Sequence, residues 1–154
     1  MQENKEDFSI DDLFYFYKDI ILPWEMEWKD ANFVANGEKI LNKYIKIERK
    51  GTSTEVGTNY VDHCNGLDEK CDIIVFLKTR ETEPFSKTIL RRLRNCFAHG
   101  HFSKKNINGK ECIKIENKCN SEEGKYLIVG HTSIEILKEL VKAASDQIDK
   151  EGNS

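Results

Sequence analysis

Residues 87–102, KTILRRLRNCFAHGHF, combine an amphipathic helical pattern, clustered positive charge and two histidines. On a helix with about 100° per residue, one arc carries the apolar side chains. These are Ile89, Leu90, Leu93, Cys96 and Phe97. Asn95 and His99 lie together outside that arc, and Arg94 lies at its edge, where its guanidinium should emerge beside a neighbouring element. The pattern predicts a helix that packs one side on a core and presents polar groups on the other.

The same region holds the clustered positive charge of an acidic chain. The 154 residues carry a formal net charge of -3, which argues against a general nucleic-acid coating protein. Between Pro84 and Lys110 there is no Asp or Glu. The cations of this interval are Lys87, Arg91, Arg92, Arg94, Lys104, Lys105 and Lys110. One basic segment in an acidic protein is typical of a site for a polyanion.

Apolar spacing predicts three helices before this segment. The first covers residues 8–22, with Ser9 as its cap and Pro23 as its end. The second lies within 24–50, is clearest over 38–49 and ends at Gly51, and the polar residues 51–59 are predicted to form a loop. The third covers 60–80, although DIIVFL at 72–77 also fits a buried strand, and the length of the pattern favours a helix.

The central helix is expected to begin at Pro84, with Ser86 as a candidate cap, and to end near His99, because Gly100 suits a left-handed terminator. After the turn residues Asn108-Gly109, residues 111–116 and 126–129 alternate like two short strands joined by a polar loop. Thr132 or Ser133 would then cap a last helix over 134–148.

These patterns together predict an all-α fold, an up-and-down bundle of four to five helices with a small β-hairpin inserted before the last helix. The length fits a single domain over residues 1–150. The hairpin insertion would span about 108–130, and residues 151–154 would form a polar tail.

Composition bears on location and on metals. No stretch approaches the roughly 20 apolar residues of a membrane span, and the acidic N-terminus is unlike a signal peptide, so we expect a cytoplasmic protein without a membrane partner. The five cysteines are an odd number, so reduced thiols are expected. The spacings Cys64-x6-Cys71 and Cys112-x6-Cys119 are wider than structural zinc pairs require, and neither a metal site nor a cofactor is predicted.

Arg94 and His99 carry the candidate chemistry. They are separated by roughly 7.5 Å along a helix axis, within reach of one nucleotide phosphate. Arginine grips a phosphate in a planar, bidentate manner, and histidine can give and take a proton near neutral pH. This pair suits RNA cleavage by 2′-hydroxyl attack without a metal. A purely structural interpretation also fits, because a histidine often contacts the last carbonyls of a helix and arginines often form a solvated face.

Arg94-Asn95-Cys96-Phe97-Ala98-His99, within LRNCFAHGHF, resembles the R-x4-6-H signature of the HEPN (higher eukaryotes and prokaryotes nucleotide-binding) domains. The small polar Asn95 after the arginine and the Ala-His-Gly ending are also similar to bacterial members. The motif similarity covers residues 90–102, and the position of the motif late in a helical bundle agrees. The hairpin has no counterpart in the resemblance.

The resemblance implies a metal-independent endoribonuclease, often the toxin of a toxin–antitoxin or abortive-infection system. It also implies a homodimer in which two motifs face one another, with RNA and a cognate antitoxin protein as partners. Arg94 would bind and neutralise the scissile phosphate, His99 would move the proton, and Asn95 would orient His99 or the phosphate. The residues expected to contact or guide RNA are Lys87, Arg91, Arg92, His101, Lys104 and Lys105.

Two other functions fit the same residues. One is a non-catalytic HEPN-like dimeric module that binds a protein partner or a nucleotide and keeps the motif for packing. The other is an antitoxin or adaptor whose acidic N-terminal half mimics nucleic acid.

Overall fold

The computed structural model describes residues 8–35, 37–65, 72–79, 82–107 and 109–149. At its centre is a five-stranded sheet with the order β1-β2-β5-β4-β3. The strands are β1 (Lys46–Lys50), β2 (Ile73–Leu77), β3 (Phe102–Ile107), β4 (Lys110–Lys118) and β5 (Tyr126–Thr132). Strands β1 and β2 are parallel, and the other neighbours are antiparallel. The fold is therefore α/β with a mixed sheet, and the prediction of an all-α bundle is wrong.

Helices cover both faces of this sheet. They are α1 (Ile10–Phe16), α2 (Leu22–Met26), α3 (Gly37–Leu41), α4 (Ser53–Asn65), α5 (Phe85–Ala98) and α6 (Ile134–Ser145). A π-helical segment, Tyr17–Ile21, joins α1 to α2, and Trp28–Asp30 and Cys119–Ser121 are short 3-10 turns. None of the described helices is long and apolar enough to cross a membrane.

Two apolar layers separate these helices. The larger core lies between one face of the sheet and α1, α2, α5 and α6. The smaller core lies on the opposite face, where α4 packs on β1, β2 and β5 through Val56, Ile73, Val75 and Val129. The segment over residues 87–102 thus forms the α5 side of the larger core and continues into the edge strand β3.

Two predicted helices contain strands instead. Residues 46–50 of the second helix form β1, and residues 73–77 of the third form β2. The β2 residues Ile73, Ile74, Val75 and Phe76 are each 0% exposed, because the strand has neighbours on both edges and helices on both faces. Such a strand is apolar at every position, so its sequence has no period-2 signal to distinguish it from a helix. The predicted loop over 51–59 is also wrong, since α4 begins at Ser53.

The predicted hairpin is part of a larger sheet. Residues 111–116 and 126–129 are strands, as predicted, and they pair antiparallel within β4 and β5. However, β5 also pairs with β2, and β4 pairs with β3, a strand that the sequence did not predict. In the turn before β4, the Gly109 amide donates to the Asn106 side chain at 2.9 Å, and Gly109 has a φ of 81°. Asn108 lies outside the described residues.

The helix ends follow local chemistry with two exceptions. Ser9 and Ser133 cap α1 and α6 by accepting from backbone amides, as predicted. Ser86 does not cap α5, because the helix begins at Phe85 and Ser86 lies inside it, where its buried hydroxyl donates to Gln147 at 2.7 Å. Pro23 does not end the first helical segment, since it lies in the first turn of α2, where a missing amide hydrogen costs little. The predicted tail, residues 151–154, lies outside the described residues.

Candidate functional site

Helix α5 buries the apolar arc that its sequence predicts. Ile89, Leu90, Leu93 and Cys96 are fully buried, and Phe97 is 6% exposed. The helix ends at Ala98, and Gly100 adopts a φ of 76°, as expected for a left-handed terminator. Arg94 and Asn95 therefore lie on the half-buried flank of α5, and the exposed His99 lies at its C-terminal end.

The Arg94 side chain is held where α5 meets α2, the kind of position that its helical location predicts. One terminal nitrogen donates to the Asn95 side-chain oxygen at 2.9 Å, and the other forms an ion pair with Glu25 of α2. Its Nε is buried and finds no hydrogen-bond partner among the described residues. The side chain is 26% exposed, so a guanidinium with fixed orientation reaches the surface.

Asn95 and His99 are joined through the backbone, because the His99 amide donates to the Asn95 carbonyl at 3.1 Å. The Asn95 side chain contacts Arg94, so in this conformation it orients the arginine. His99 caps α5 with φ −106° and ψ 8°, and its ring is exposed. Arg94 and His99 thus both lie near the C-terminal end of α5, with the arginine half-buried on its flank and the histidine exposed at its end.

His101 extends this surface beyond the helix. Its amide donates to the Cys96 carbonyl at 2.8 Å, which fixes the chain direction after Gly100. The rings of His99 and His101 are 6.4 Å apart, measured between centroids, and both side chains are exposed. Two histidines therefore share one surface at the end of α5.

Two of the cations expected to guide RNA donate to backbone carbonyls of the protein itself. Lys87 donates to the Ala31 carbonyl at 2.8 Å. Arg92 donates to the Leu77 carbonyl at 3.0 Å and to the Lys78 carbonyl at 3.1 Å. These hydrogen bonds tie α5 to its neighbours, so neither side chain is as available to an incoming phosphate as a solvated cation would be.

Arg91 is similarly engaged. It forms two hydrogen bonds to the Glu83 carboxylate, at 3.2 and 2.7 Å, and lies 4.9 Å from the centre of the Trp24 ring. Burial acts to raise the pKa of Glu83, but the hydrogen bonds and charge of Arg91 more than offset it, and the pKa is lowered overall. The pair remains ionised around neutral pH and joins the segment before α5 to the helix, while the Arg91 guanidinium also contacts Trp24 of α2.

Lys104 and Lys105 lie on β3. Lys104 forms an ion pair with Glu111 at 3.3 Å and lies 5.3 Å from the centre of the Phe8 ring. Lys105 is exposed, roughly 13 Å along the strand from His101 at about 3.3 Å per residue. Two exposed side chains therefore follow α5 in the chain, His101 just before β3 and Lys105 within it.

Cys96, the thiol inside the motif, belongs to the core. Burial raises its pKa far above the ordinary value, so it is not a thiolate nucleophile. Cys64, Cys96, Cys112 and Cys119 are free thiols, and Cys71 lies outside the described residues. Over the described ranges, no three His, Cys, Asp or Glu side chains are grouped to hold a metal ion.

Two residues beside the motif were not predicted. Glu25, on the distant helix α2, contacts Arg94. Glu83, in the segment just before α5, contacts Arg91. The acidic character of the first 30 residues was the only sequence signal for Glu25, and it does not indicate a partner.

A family model described as HEPN pEK499 p136 matches residues 12–153, a range that includes the whole of α5 and the sheet. A search of curated proteins found no match, and a search of solved structures also found none.

Proposed function

The chain belongs to the HEPN pEK499 p136 family, and from this premise we propose that it is a metal-independent endoribonuclease of a toxin–antitoxin or abortive-infection system. Membership of a HEPN family favours a nucleotide-binding or ribonuclease-type function. The observation that carries the finer proposal is the exposed His99 beside the oriented Arg94 at the end of α5.

Each side chain has a role that its position supports. Arg94 binds the scissile phosphate and neutralises the charge that grows on its oxygens in the transition state. His99 takes a proton from, or gives one to, the reacting oxygens. The 2′-hydroxyl oxygen forms a bond to phosphorus as the bond to the 5′-oxygen breaks. The 2′-proton goes to a base and the 5′-oxygen receives a proton, so the products are a 2′,3′-cyclic phosphate and a 5′-hydroxyl.

Glu25 and Asn95 act on this chemistry through Arg94. They hold the guanidinium in one orientation before RNA binds, which lowers the entropy lost when a phosphate is gripped. The Glu25 carboxylate is 38% exposed and can swing into solvent when a phosphate replaces it. Glu25 is therefore a positioning residue in this proposal, and it does not touch the substrate.

We place the second copy of the chain on the exposed side of the first helical segment. Large apolar side chains are exposed along α1, the π-helical segment and α2. They are Ile10, Leu13, Phe14, Tyr17, Leu22 and Met26, which we name the N-terminal stripe. An exposed apolar stripe of this length is typical of a protein interface. It runs beside Glu25, so a two-fold contact there would bring two motifs near one another and form a cleft from two convex helix ends.

Replacing Phe14 by glutamate should therefore give a monomer that no longer cleaves RNA. Phe14 is 59% exposed, so the charge is tolerated in a single chain but is not tolerated when a second apolar surface covers it. Light scattering after size-exclusion chromatography measures the mass, and a gel assay measures cleavage. Val61→Glu is the matched control, because Val61 is 50% exposed on α4, on the other side of the sheet. An active monomeric wild type would contradict the two-chain site.

The chemistry is tested with two matched oligonucleotides, one of ribonucleotides and one with 2′-deoxyribose at the cleaved position. We expect cleavage of the first only, with a 2′,3′-cyclic phosphate on the upstream product. Equal cleavage of both would exclude 2′-hydroxyl attack.

The second candidate function is a non-catalytic dimeric module that binds a protein partner or a nucleotide. The contacts of Lys87, Arg91 and Arg92 with the protein favour it, since they leave fewer cations for RNA. In that case removal of His99 would weaken the dimer and change no catalytic rate.

A further inference from the structure

A groove of about 530 Å³ opens beside His101. Its lining residues are His101, Glu116, Asn117, Lys118, Asn120 and Ser121. The volume is within the range of about 300–1,000 Å³ that small-molecule sites occupy. The proposed catalytic roles of Arg94 and His99 use none of these six residues.

The backbone is irregular where it forms this groove. The pairing of β4 with β5 shifts register between Asn117 and Lys118, and such bulges re-aim side chains beside functional sites. Two residues later, Asn120 and Ser121 adopt φ values of 54° and 61°, in the left-handed region. Consecutive left-handed residues other than glycine cost free energy, and they cluster at ligand-binding sites. Both irregularities lie at residues that line the groove.

Strand pairing fixes the groove next to the motif. The Glu116 amide donates to the His101 carbonyl at 3.2 Å. This hydrogen bond holds the part of β4 that lines the groove against His101, two residues after His99. With 6.4 Å between the centroids of the His99 and His101 rings, a nucleotide whose phosphate lies at His99 can place a base in the groove. The groove is therefore positioned for a nucleotide that flanks the cleaved bond.

The lining groups suit the edge of a base better than a second phosphate. The Glu116 carboxylate is a strong acceptor, and the Asn117 and Asn120 amides can donate and accept. Lys118 is paired at 2.7 Å with the exposed Glu123, so the positive charge at the rim is partly neutralised. The Lys114 Nζ lies 3.7 Å from the Glu116 Oε1, so this ion pair orients the carboxylate and leaves other acceptor positions of its oxygens open.

We infer that this groove binds the base next to the scissile phosphate and prefers adenine or cytosine to uracil. The inference rests on the proposed function. The reason is that a carboxylate accepts from the exocyclic amino group of adenine or cytosine, whereas uracil presents a carbonyl oxygen at the same position. Glu116 is the residue that sets this preference, and the amides of Asn117 and Asn120 complete the edge contacts.

The test compares Glu116→Gln with Glu122→Gln. Glu122 lies in the same β4–β5 connection but does not line the groove. Glu122→Gln therefore removes the same charge without changing a contact with the base. Binding of fluorescent oligoadenylate, oligocytidylate and oligouridylate is measured by anisotropy in proteins that also carry His99→Ala. Cleavage of RNAs that differ only at the flanking nucleotide is measured with His99 intact.

We expect the parent protein to favour oligoadenylate or oligocytidylate over oligouridylate about tenfold, within the range of a good base contact. Glu116→Gln should remove that preference because an amide can donate to the uracil oxygen, and Glu122→Gln should preserve it. Equal binding of all three by the parent, no binding at all, or an unchanged preference in Glu116→Gln would overturn the subsite. Base preference in binding without any cleavage would support the subsite and reject the ribonuclease proposal, so the two failures are distinguishable.

Discussion

Replacement of His99 by alanine should lower the rate of RNA cleavage by about 10²- to 10⁴-fold, the usual contribution of a general acid or base. The ring is exposed at the end of α5, and its removal leaves neither a cavity nor a buried unpaired group. The free energy of unfolding should therefore stay within about 1 kcal/mol of wild type. Rates are measured on a defined oligoribonucleotide at saturating enzyme, and stability is measured by urea unfolding.

The control for this variant is His63→Ala, because His63 lies on α4, on the opposite face of the sheet. It should cleave at the wild-type rate. Wild-type activity in His99→Ala would remove the catalytic role. A His99→Ala protein that dissociates into monomers would support the non-catalytic module, in which the motif serves only packing.

Replacement of Phe97 by alanine should have the largest effect on stability, a loss of about 3–5 kcal/mol in the free energy of unfolding. Phe97 is 6% exposed and stacks on Phe16 with centroids 4.3 Å apart. It also lies 5.0 Å from the ring of Phe102. This cluster joins the N-terminal helix, α5 and β3, so a cavity there loosens the elements that hold Arg94 and His99.

Urea unfolding measures this loss directly. Tyr44→Ala is the matched control, because Tyr44 is 40% exposed, and it should change the free energy of unfolding by less than about 1 kcal/mol. A loss below about 1 kcal/mol for Phe97→Ala would mean that the aromatic cluster does not stabilise the packing of α1, α5 and β3. Cleavage by this variant should also fail at a lower temperature than cleavage by wild type.

Local features of the fold could be predicted from the sequence. Helix α5, its left-handed end at Gly100 and the caps at Ser9 and Ser133 depend on a few neighbouring residues, and all four agree with the structure. The prediction of the fold class was wrong because β2 is buried on both faces and has no alternation, so its five consecutive apolar residues also fit a helix. The strand β1 was also assigned to a helix, because the apolar residues before and within it, such as Leu41, Tyr44 and Ile47, recur at helical spacing.

The candidate site likewise has one feature that is visible in the sequence and others that depend on the folded structure. The recognition of a HEPN domain, which the contiguous residues 94–99 made possible, was confirmed by the family match over residues 12–153. The roles of Arg94, Asn95 and His99 stay a prediction. The ion pair of Arg94 with Glu25 and the groove between His101 and the β4–β5 connection depend on tertiary contacts. No spacing in the sequence indicates them, since Glu25 precedes α5 by several elements and Asn120 follows it by two strands.

The most direct test of the central claim, that Arg94 and His99 cleave RNA without a metal, is the cleavage rate of the wild-type protein in excess EDTA. We expect the same rate in EDTA as in Mg²⁺, with 2′,3′-cyclic phosphate ends on the products. Cleavage that stops in EDTA and returns with Mg²⁺, or no cleavage under either condition, would contradict it.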